Sequence, residues 1–190
     1  MADRLAARNG RRRRSGGSVD GAGSFRDGID QYLAFDIYET PGYLIRRLQQ
    51  IVVGLYYDNT AENGVTPVQY AALIAIRRHP GIDQLRLAQI IAFDRSTIGS
   101  VLERLEKRGL VRRTTDVEDR RRKSLFLTPE GAALLRQMQP LVRLVQKKLL
   151  ATLDPEERVE FVRLLVKVVD LNNNVSRAPL TLPRGISDED

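Results

Sequence analysis

Residues 84–128 decide the predicted fold, and they read QLRLAQIIAFDRSTIGSVLERLEKRGLVRRTTDVEDRRRKSLFLT. The beginning of this stretch predicts a short helix to about Ile91, a tight turn at Ala92-Phe93, and a second helix that Asp94 caps and that ends at Gly109. The second helix repeats apolar side chains at helical spacing, which predicts a buried side formed by Ile98, Val101, Leu102 and Leu105. Together these elements are typical of a helix-turn-helix.

The opposite side of the second helix is polar, small and rich in hydrogen-bond donors near its start. It presents Ser96, Gly99, Ser100, Glu103 and Lys107, with Arg95 and Thr97 flanking them in the first turn. A glycine inside a helix costs about 1 kcal/mol relative to alanine, so Gly99 favours close approach to another surface. A neutral surface glycine is the alternative explanation.

Two extended segments follow this helix. Gly109 can end it in a left-handed conformation, and residues 110–113 begin a predicted strand. Turn-forming residues occupy 116–119, and residues 123–128 alternate as the returning strand of a hairpin does. Helix, turn, helix and basic hairpin predict a winged helix, in which the second helix fits the major groove of DNA and the hairpin reaches backbone phosphates or the minor groove.

Four other helix starts share one signal, a hydroxyl or carboxylate residue followed by proline. They are Thr40-Pro41, Thr66-Pro67, Thr128-Pro129 and Asp154-Pro155. The predicted helices cover about 41–59, 67–78, 129–151 and 155–174, so the fold class is mainly α with a two-stranded hairpin. The first helix is expected to be apolar on one face, formed by Leu44, Leu48, Ile51, Val52 and Leu55. The last is expected to bury Phe161, Leu164, Leu165, Val168 and Leu171.

Charge is concentrated in two parts of the 190-residue chain, whose net charge is +7. Residues 1–28 hold seven arginines and three aspartates, and residues 92–124 hold ten basic and six acidic residues. Localised positive charge is typical of a protein that binds polyanions, although a solvated surface is the simpler explanation of either run. We expect 1–28 to be a disordered basic arm and 176–190 a flexible tail.

Composition also narrows the classes of function. The chain has no cysteine and one histidine, so we expect no disulfide, no metal site and no cofactor. An enzyme is disfavoured because a phosphate-binding glycine loop, a nucleophile elbow and a partner for the histidine are missing from the sequence. No apolar run approaches the roughly 20 residues of a membrane span, so the expected location is the cytoplasm.

The sequence resembles the MarR family of bacterial transcriptional regulators. The resemblance rests on DRST at 94–97, LERLEKRGLVRR at 102–113, and DRR at 119–121 followed by LT at 127–128, and it extends over about 41–171. It implies a homodimer whose terminal helices intertwine, with two winged-helix lobes on adjacent turns of a DNA operator. The implied organisation is dimerisation helices at 29–62 and 129–175 around a DNA-binding lobe at 63–128.

The resemblance also implies the residues that meet DNA. The recognition helix corresponds to Asp94–Gly109, and its candidate contacts are Arg95, Ser96, Thr97, Ser100, Arg104 and Lys107. In the wing, Asp119 would brace the hairpin and Arg121 would enter the minor groove, with Arg120 and Arg122 beside it at the tip. Ala92 departs from the glycine that helix-turn-helix sequences often have at this turn, and would be mildly strained at positive φ.

The resemblance further implies a repressor that a small ligand releases, commonly an aromatic acid or a coenzyme A thioester. Candidate pocket residues are Tyr38, Tyr43, Arg46, Arg47, Tyr70 and His79, because aromatic walls with an arginine fork suit an aromatic carboxylate. Tyrosines at helical spacing, these and Tyr56 included, are more often core or dimer contacts. Exposure to solvent is the alternative for Arg46 and Arg47, and His79, at a helix end before Pro80, is better explained as a cap or packing residue. A winged helix that docks protein or RNA, without operator specificity, is the alternative function.

Overall fold

The computed structural model describes residues 37–115 and 123–181, without the side chain of Arg95. The described residues fall into two compact units, one that ends at Arg47 and one that begins at Leu48. The predicted arm at 1–28, the wing tip with Asp119 and Arg120–Arg122, and the end of the predicted tail lie outside the described residues.

Six helices and three strands make up the described chain, with short 3-10 turns at Ile37–Glu39, Ala61–Asn63 and Asn173–Val175. In chain order they are α1 (Pro41–Thr60), α2 (Pro67–Arg78), β1 (Ile82–Asp83), α3 (Gln84–Ile90), α4 (Arg95–Lys107), β2 (Val111–Thr115), β3 (Lys123–Leu127), α5 (Pro129–Leu149) and α6 (Pro155–Leu171). The mainly α class and the winged helix-turn-helix are confirmed.

Helix starts follow the predicted caps closely. Thr66 accepts a hydrogen bond from the backbone N–H of Gln69 at 3.3 Å, and the Gln69 side chain accepts the N–H of Thr66 at 3.0 Å. Asp154 and Glu157 form the same reciprocal pair at 2.8 and 3.0 Å. Such pairs satisfy backbone donors that no helical carbonyl reaches, so they fix the first residue of a helix. Helix ends were predicted less well, since α5 and α6 stop two and three residues early.

The sheet is antiparallel, in the order β1-β3-β2. β2 and β3 form the predicted hairpin, with Val111 opposite Leu127 and Thr115 opposite Lys123. β1 adds a third strand that the sequence did not predict, because two residues are too few to show an alternating pattern. Ile82 of β1 lies opposite Leu125, so the base of the hairpin is joined to the segment that leads into α3.

The core lies where α2, α3, α4, β3 and α5 meet. Its fully buried side chains include Leu73, Ile76, Leu87, Ile98, Leu102, Leu105, Leu125, Leu135 and Met138. Each such side chain contributes about 1.5–3 kcal/mol when it leaves water. The buried side predicted for α4 is confirmed, because Ile98, Leu102 and Leu105 are fully buried and Val101 nearly so.

The expectation that α6 buries its apolar side chains is wrong for the described chain. No residue of α6 is buried, and the exposed fraction is 45% at Leu164, 52% at Val168 and 72% at Leu171. Helical spacing places these residues together but does not supply a surface to cover them. The apolar face of α1 is likewise incompletely covered: Leu44 and Ile51 are exposed, and the helix buries Tyr56 and Thr60 instead.

The described part of the predicted tail, 176–181, is hydrogen-bonded to the rest of the chain. The Asn173 side chain accepts the N–H of Leu180 at 2.8 Å and donates to the carbonyl oxygen of Leu180 at 3.0 Å. The backbone N–H of Thr181 then donates to the carbonyl oxygen of Gln89 in α3, at 3.1 Å. Residues 176–181 therefore return from α6 to the first helix of the helix-turn-helix.

Within the described ranges, every helix is too short or too polar to cross a bilayer.

Gly131 makes a close contact that a side chain would destroy. A Cβ atom there would overlap the carbonyl oxygen of Leu110 and lie 2.9 Å from Cδ1 of Leu127, and both neighbours belong to the packed lobe. We therefore expect Gly131→Ala to lower the free energy of unfolding by about 1–3 kcal/mol, measured by urea denaturation.

The matched control is Gly99→Ala, also inside a helix. Its Cβ would lie 3.5 Å from Nε2 of Gln84, an ordinary contact, so this variant should be more stable than the wild type by up to about 1 kcal/mol. Equal stability of Gly131→Ala and the wild type would contradict the close packing at Leu110.

Candidate nucleic-acid interface

The turn between α3 and α4 is held in a left-handed conformation. Ala92 has φ of 53°, the one positive value at a residue other than glycine in the described chain. The strain expected from the sequence is therefore present, and it costs alanine about 1–2 kcal/mol. The N–H of Phe93 donates to the carbonyl oxygen of Ala88 at 2.9 Å, which closes the turn before α4.

Asp94 organises the first turn of α4. Its Oδ1 accepts the N–H of Thr97 at 2.9 Å and the hydroxyl of Ser96 at 2.5 Å, while its Oδ2 accepts the hydroxyl of Thr97 at 2.6 Å. These hydrogen bonds, first that of the Ser96 hydroxyl, hold the pKa of the Asp94 carboxyl well below its usual range. Asp94 is thus a carboxylate at neutral pH, and it caps α4 as the sequence predicted.

The same bonds change what the predicted DNA-contacting hydroxyls can do. Ser96 and Thr97 donate their protons to Asp94, and Ser100 donates to the carbonyl oxygen of Thr97 at 3.0 Å. The start of α4 is therefore less rich in free donors than the sequence suggested. The outward lone pairs of these hydroxyls remain acceptors, which suit the amino groups of cytosine and adenine in the major groove.

Basic side chains continue the polar side of α4 towards its end. Ser96, Ser100 and Arg104 follow one another at intervals of four residues and are exposed, as is Lys107. Residues at this spacing share one helix face, so the structure brings four of the six predicted contacts on α4 to its exposed side. Thr97 is half-buried, and the side chain of Arg95 lies outside the described part of the chain.

Gly99 lies on α4 with room for a side chain. The nearest atom to a Cβ at this position is Nε2 of Gln84, at an ordinary contact distance of 3.5 Å. The packing of the described chain therefore does not require glycine here. That result leaves close approach to a second molecule as one explanation of Gly99, as the sequence suggested.

Two arginines at the base of the wing have partners within the lobe. The guanidinium of Arg112 lies 4.5 Å from the centre of the Phe126 ring, in a cation–π contact that spans β2 and β3. Nε of Arg113 lies 3.0 Å from a carboxylate oxygen of Glu106, so an ion pair joins β2 to α4. These contacts orient the hairpin base relative to the helix. They also show that some of the basic residues in this region bind other parts of the protein.

The predicted pocket residues are distributed over both units. In the first unit the rings of Tyr38 and Tyr43 meet edge to face at 5.3 Å, and the Arg46 guanidinium lies 5.0 Å from the centre of the Tyr43 ring. Arg47 is the last residue of that unit. Tyr70 and His79 belong to the second unit, on α2 and directly after it.

Tyr70 and His79 both show structural roles of the kind that the sequence left open. Tyr70 is half-buried against the core, and burial raises the pKa of its phenol. His79 follows the last turn of α2, where its backbone N–H donates to the carbonyl oxygen of Ala75 at 2.9 Å. A packing and a capping role are therefore present at these two positions.

The sequence did not indicate the hydrogen-bond partners of Tyr56 and Arg108. The buried hydroxyl of Tyr56 donates to the carbonyl oxygen of Val65 at 3.0 Å, and burial raises its pKa to about 12. Arg108 donates through its guanidinium to the carbonyl oxygens of Asn63 and Gly64. Both interactions join residues far enough apart in sequence that no local pattern indicates them.

Known proteins match this chain over the winged helix and beyond. The profile of the MarR family matches residues 63–122. The HTH-type transcriptional repressor NicR of Pseudomonas putida is 34% identical over 140 residues, which are 74% of this chain and 89% of NicR.

Solved structures agree with the sequence comparison. The structure of Bordetella bronchiseptica BpsR, solved to explain how 6-hydroxynicotinic acid regulates its DNA binding, has a TM-score of 0.68 at 32% identity and covers 72% of this chain and 97% of BpsR. The repressor CouR, bound to a 23-mer DNA duplex, has a TM-score of 0.66 at 29% identity over 70% of this chain and 94% of CouR. The chain therefore belongs to the MarR family of winged-helix, DNA-binding transcriptional regulators.

Proposed function

We propose that this regulator is a repressor that binds a pseudo-palindromic operator as a homodimer and is released by a small aromatic acid or its coenzyme A thioester. The observation that carries the proposal is the geometry of α4, whose apolar side is fully buried while Ser96, Ser100, Arg104 and Lys107 are exposed on its other side. A helix held in this way can enter a major groove about 12 Å wide without unfolding any part of the lobe.

DNA contacts are assigned by chemistry. Arg104 offers cationic donors for a guanine edge or a phosphate, and Lys107 offers them for a phosphate. The hydroxyls of Ser96 and Ser100 offer acceptors for base amino groups. We assign phosphate or base contacts to Arg95 and Thr97 in the first turn. In the wing, Arg121 reads the minor groove, Arg120 and Arg122 bind phosphates, and Asp119 braces the hairpin.

Substitutions on α4 test this assignment. Arg104→Ala should weaken binding to DNA from upstream of the chain's own gene by about 1–3 kcal/mol, because a cationic base or phosphate contact is lost. Ser100→Ala should change the preference among operator variants more than the overall affinity. A gel shift and a footprint measure both effects, and two protected half-sites about 10–10.5 base pairs apart indicate the symmetric dimer.

Arg78→Ala is the control, since it removes an exposed arginine at the end of α2 that belongs to neither the proposed DNA contacts nor the assigned dimerisation segments. Unchanged binding by Arg104→Ala would refute the placement of α4. A wild-type protein that protects no discrete site would favour the alternative, in which the winged helix docks protein or RNA.

The homodimer is proposed from the apolar surface of α6. Val162, Leu165, Val166 and Val169 recur at helical spacing, and 37% to 59% of each is exposed. Leu164, Val168 and Leu171 are also exposed, so apolar side chains surround much of the helix. A helix that is apolar on most sides belongs in an interior, and monomers rarely expose a patch of this kind. We assign a second copy of the chain as its cover, with 29–62 and 129–175 as the dimerisation segments.

A charge in that surface should separate the two copies. Leu165→Glu should convert the dimer to a monomer in analytical ultracentrifugation and weaken operator binding, because a carboxylate would be buried without a partner. Lys167→Glu places the same charge on the same helix at a position that is already polar, and it should remain dimeric. A Leu165→Glu variant that sediments with the wild type would contradict the assigned surface.

The effector proposal rests on the cluster in the first unit. Tyr38, Tyr43 and Arg46 combine aromatic rings with a guanidinium, which suits an aromatic ring that carries a carboxylate. The relation of BpsR to 6-hydroxynicotinic acid supports the same chemical class. Arg47, Tyr70 and His79 stay candidate ligand contacts predicted from the sequence alone.

Gel shifts with aromatic acids and their thioesters test this effector class. 6-Hydroxynicotinic acid or a related acid should release the wild-type protein from DNA, whereas Arg46→Ala should bind DNA normally and need at least about tenfold more ligand, the cost of about 1.4 kcal/mol for one charge-assisted contact. Arg78→Ala should respond as the wild type does. An aromatic panel that never changes DNA binding would remove aromatic acids as the effector class.

A further inference from the structure

We propose that Arg108 is a positioning residue, which joins the C-terminal end of the recognition helix α4 to the loop after α1 and so sets the orientation of α4 on its operator. This inference rests on the proposed DNA-reading role of α4. It assigns to Arg108 no contact with DNA.

The contact is bidentate and spans distant parts of the chain. Nη1 of Arg108 donates to the carbonyl oxygen of Gly64 at 2.5 Å, and Nη2 donates to that of Asn63 at 2.9 Å, across 44 and 45 residues. A planar guanidinium can bind two adjacent acceptors at once, whereas a lysine ammonium has no such fixed fork. The interaction therefore constrains direction as well as distance.

The two acceptors are themselves held in place. Gly64 has φ of +60°, a left-handed conformation that turns the chain after the 3-10 segment Ala61–Asn63. Immediately beyond it, the Tyr56 hydroxyl donates to the carbonyl oxygen of Val65, and Thr66 caps α2. The loop is thus bound to both α1 and α2, so Arg108 binds a fixed support.

On the other side, Arg108 directly follows α4. Its N–H donates to the carbonyl oxygen of Arg104 at 3.2 Å, and the N–H of Gly109 donates to that of Glu106 at 2.8 Å. A shift of the Arg108 backbone would therefore move the last turn of α4, which carries Arg104 and Lys107. The buried Leu102 and Leu105 keep the apolar side of α4 in the core, but apolar contacts are not directional and leave small tilts of the helix axis less constrained.

The connection reaches towards the dimerisation segment. The loop bound by Arg108 begins where α1 ends, at Thr60, and α1 lies in the segment that we assign to the dimer. Arg108 consequently links the loop that follows that helix to the end of the DNA-reading helix. Fixing the two α4 helices to their α1 helices would fix their separation, which must match the half-site spacing of the operator.

The experiment compares three variants of the full chain, Arg108→Met, Arg108→Lys and Lys107→Met. Each is titrated with a fluorescent operator duplex and with a scrambled duplex at several salt concentrations, and circular dichroism establishes that it is folded. Arg108→Met should lose about tenfold in operator affinity, comparable to one impaired base contact, with the scrambled duplex and the salt slope unchanged. Arg108→Lys, which keeps the charge, should also lose affinity for the operator and not for the scrambled duplex, but by a smaller factor.

Lys107→Met supplies the contrast, since loss of a phosphate contact weakens binding to both duplexes and reduces the salt slope by about 1. If Arg108→Met behaves like Lys107→Met, Arg108 is a phosphate ligand and the inference is wrong. It is also wrong if folded Arg108→Met, or Arg108→Lys should the first variant not fold, keeps the full preference for operator. A wild-type protein without operator preference would instead refute the proposed function.

Discussion

Burial of one side of α4 is the constraint on which the interface depends. Ile98, Leu102 and Leu105 are fully buried in a core to which α2, α3, β3 and α5 also contribute. Rotating α4 by even half a turn would bring its serines and basic residues into that core, where unpaired polar groups cost several kcal/mol. The helix therefore has one stable orientation, and the polar face exposed by it is as well defined as the packing beneath.

Polar interactions refine this orientation at both ends of the helix. At the start, the left-handed Ala92 and the Asp94 cap determine where α4 begins. Beyond the end, Arg113 pairs with Glu106 and ties the wing to the helix. The cationic residues of this region thus serve different purposes, because Arg108, Arg112 and Arg113 contact the protein itself. Net charge alone overstates how many side chains are free to bind a polyanion.

Local signals made much of the fold predictable. The Thr-Pro and Asp-Pro starts and the apolar spacing of α4 are readable because a cap or a helix face involves residues within a few positions of each other. The strand β1 and the contacts of Tyr56 and Arg108 were not predictable, since their partners are distant or their segments very short. Burial of α6 was mispredicted for the single chain because periodicity shows which side chains share a face and not what covers it.

The hydrogen bonds within the candidate site were less predictable than its location. Sequence placed Ser96, Thr97 and Ser100 at the start of α4 but could not show that their hydroxyl protons are used within that first turn. The pocket candidates came from composition along the chain. Tyr38, Tyr43 and Arg46 do meet, whereas Tyr70 and His79 have packing and capping roles that explain their presence.

The returning segment after α6 has a practical consequence. Asn173 fixes Leu180, and Thr181 is bonded to Gln89, so the polypeptide leaves the described structure beside α3. A bulky label attached at residue 180 or 181 would start close to the DNA-reading lobe. Such a label can therefore obstruct the duplex or break the hydrogen bond to Gln89, and a label attached elsewhere avoids both effects.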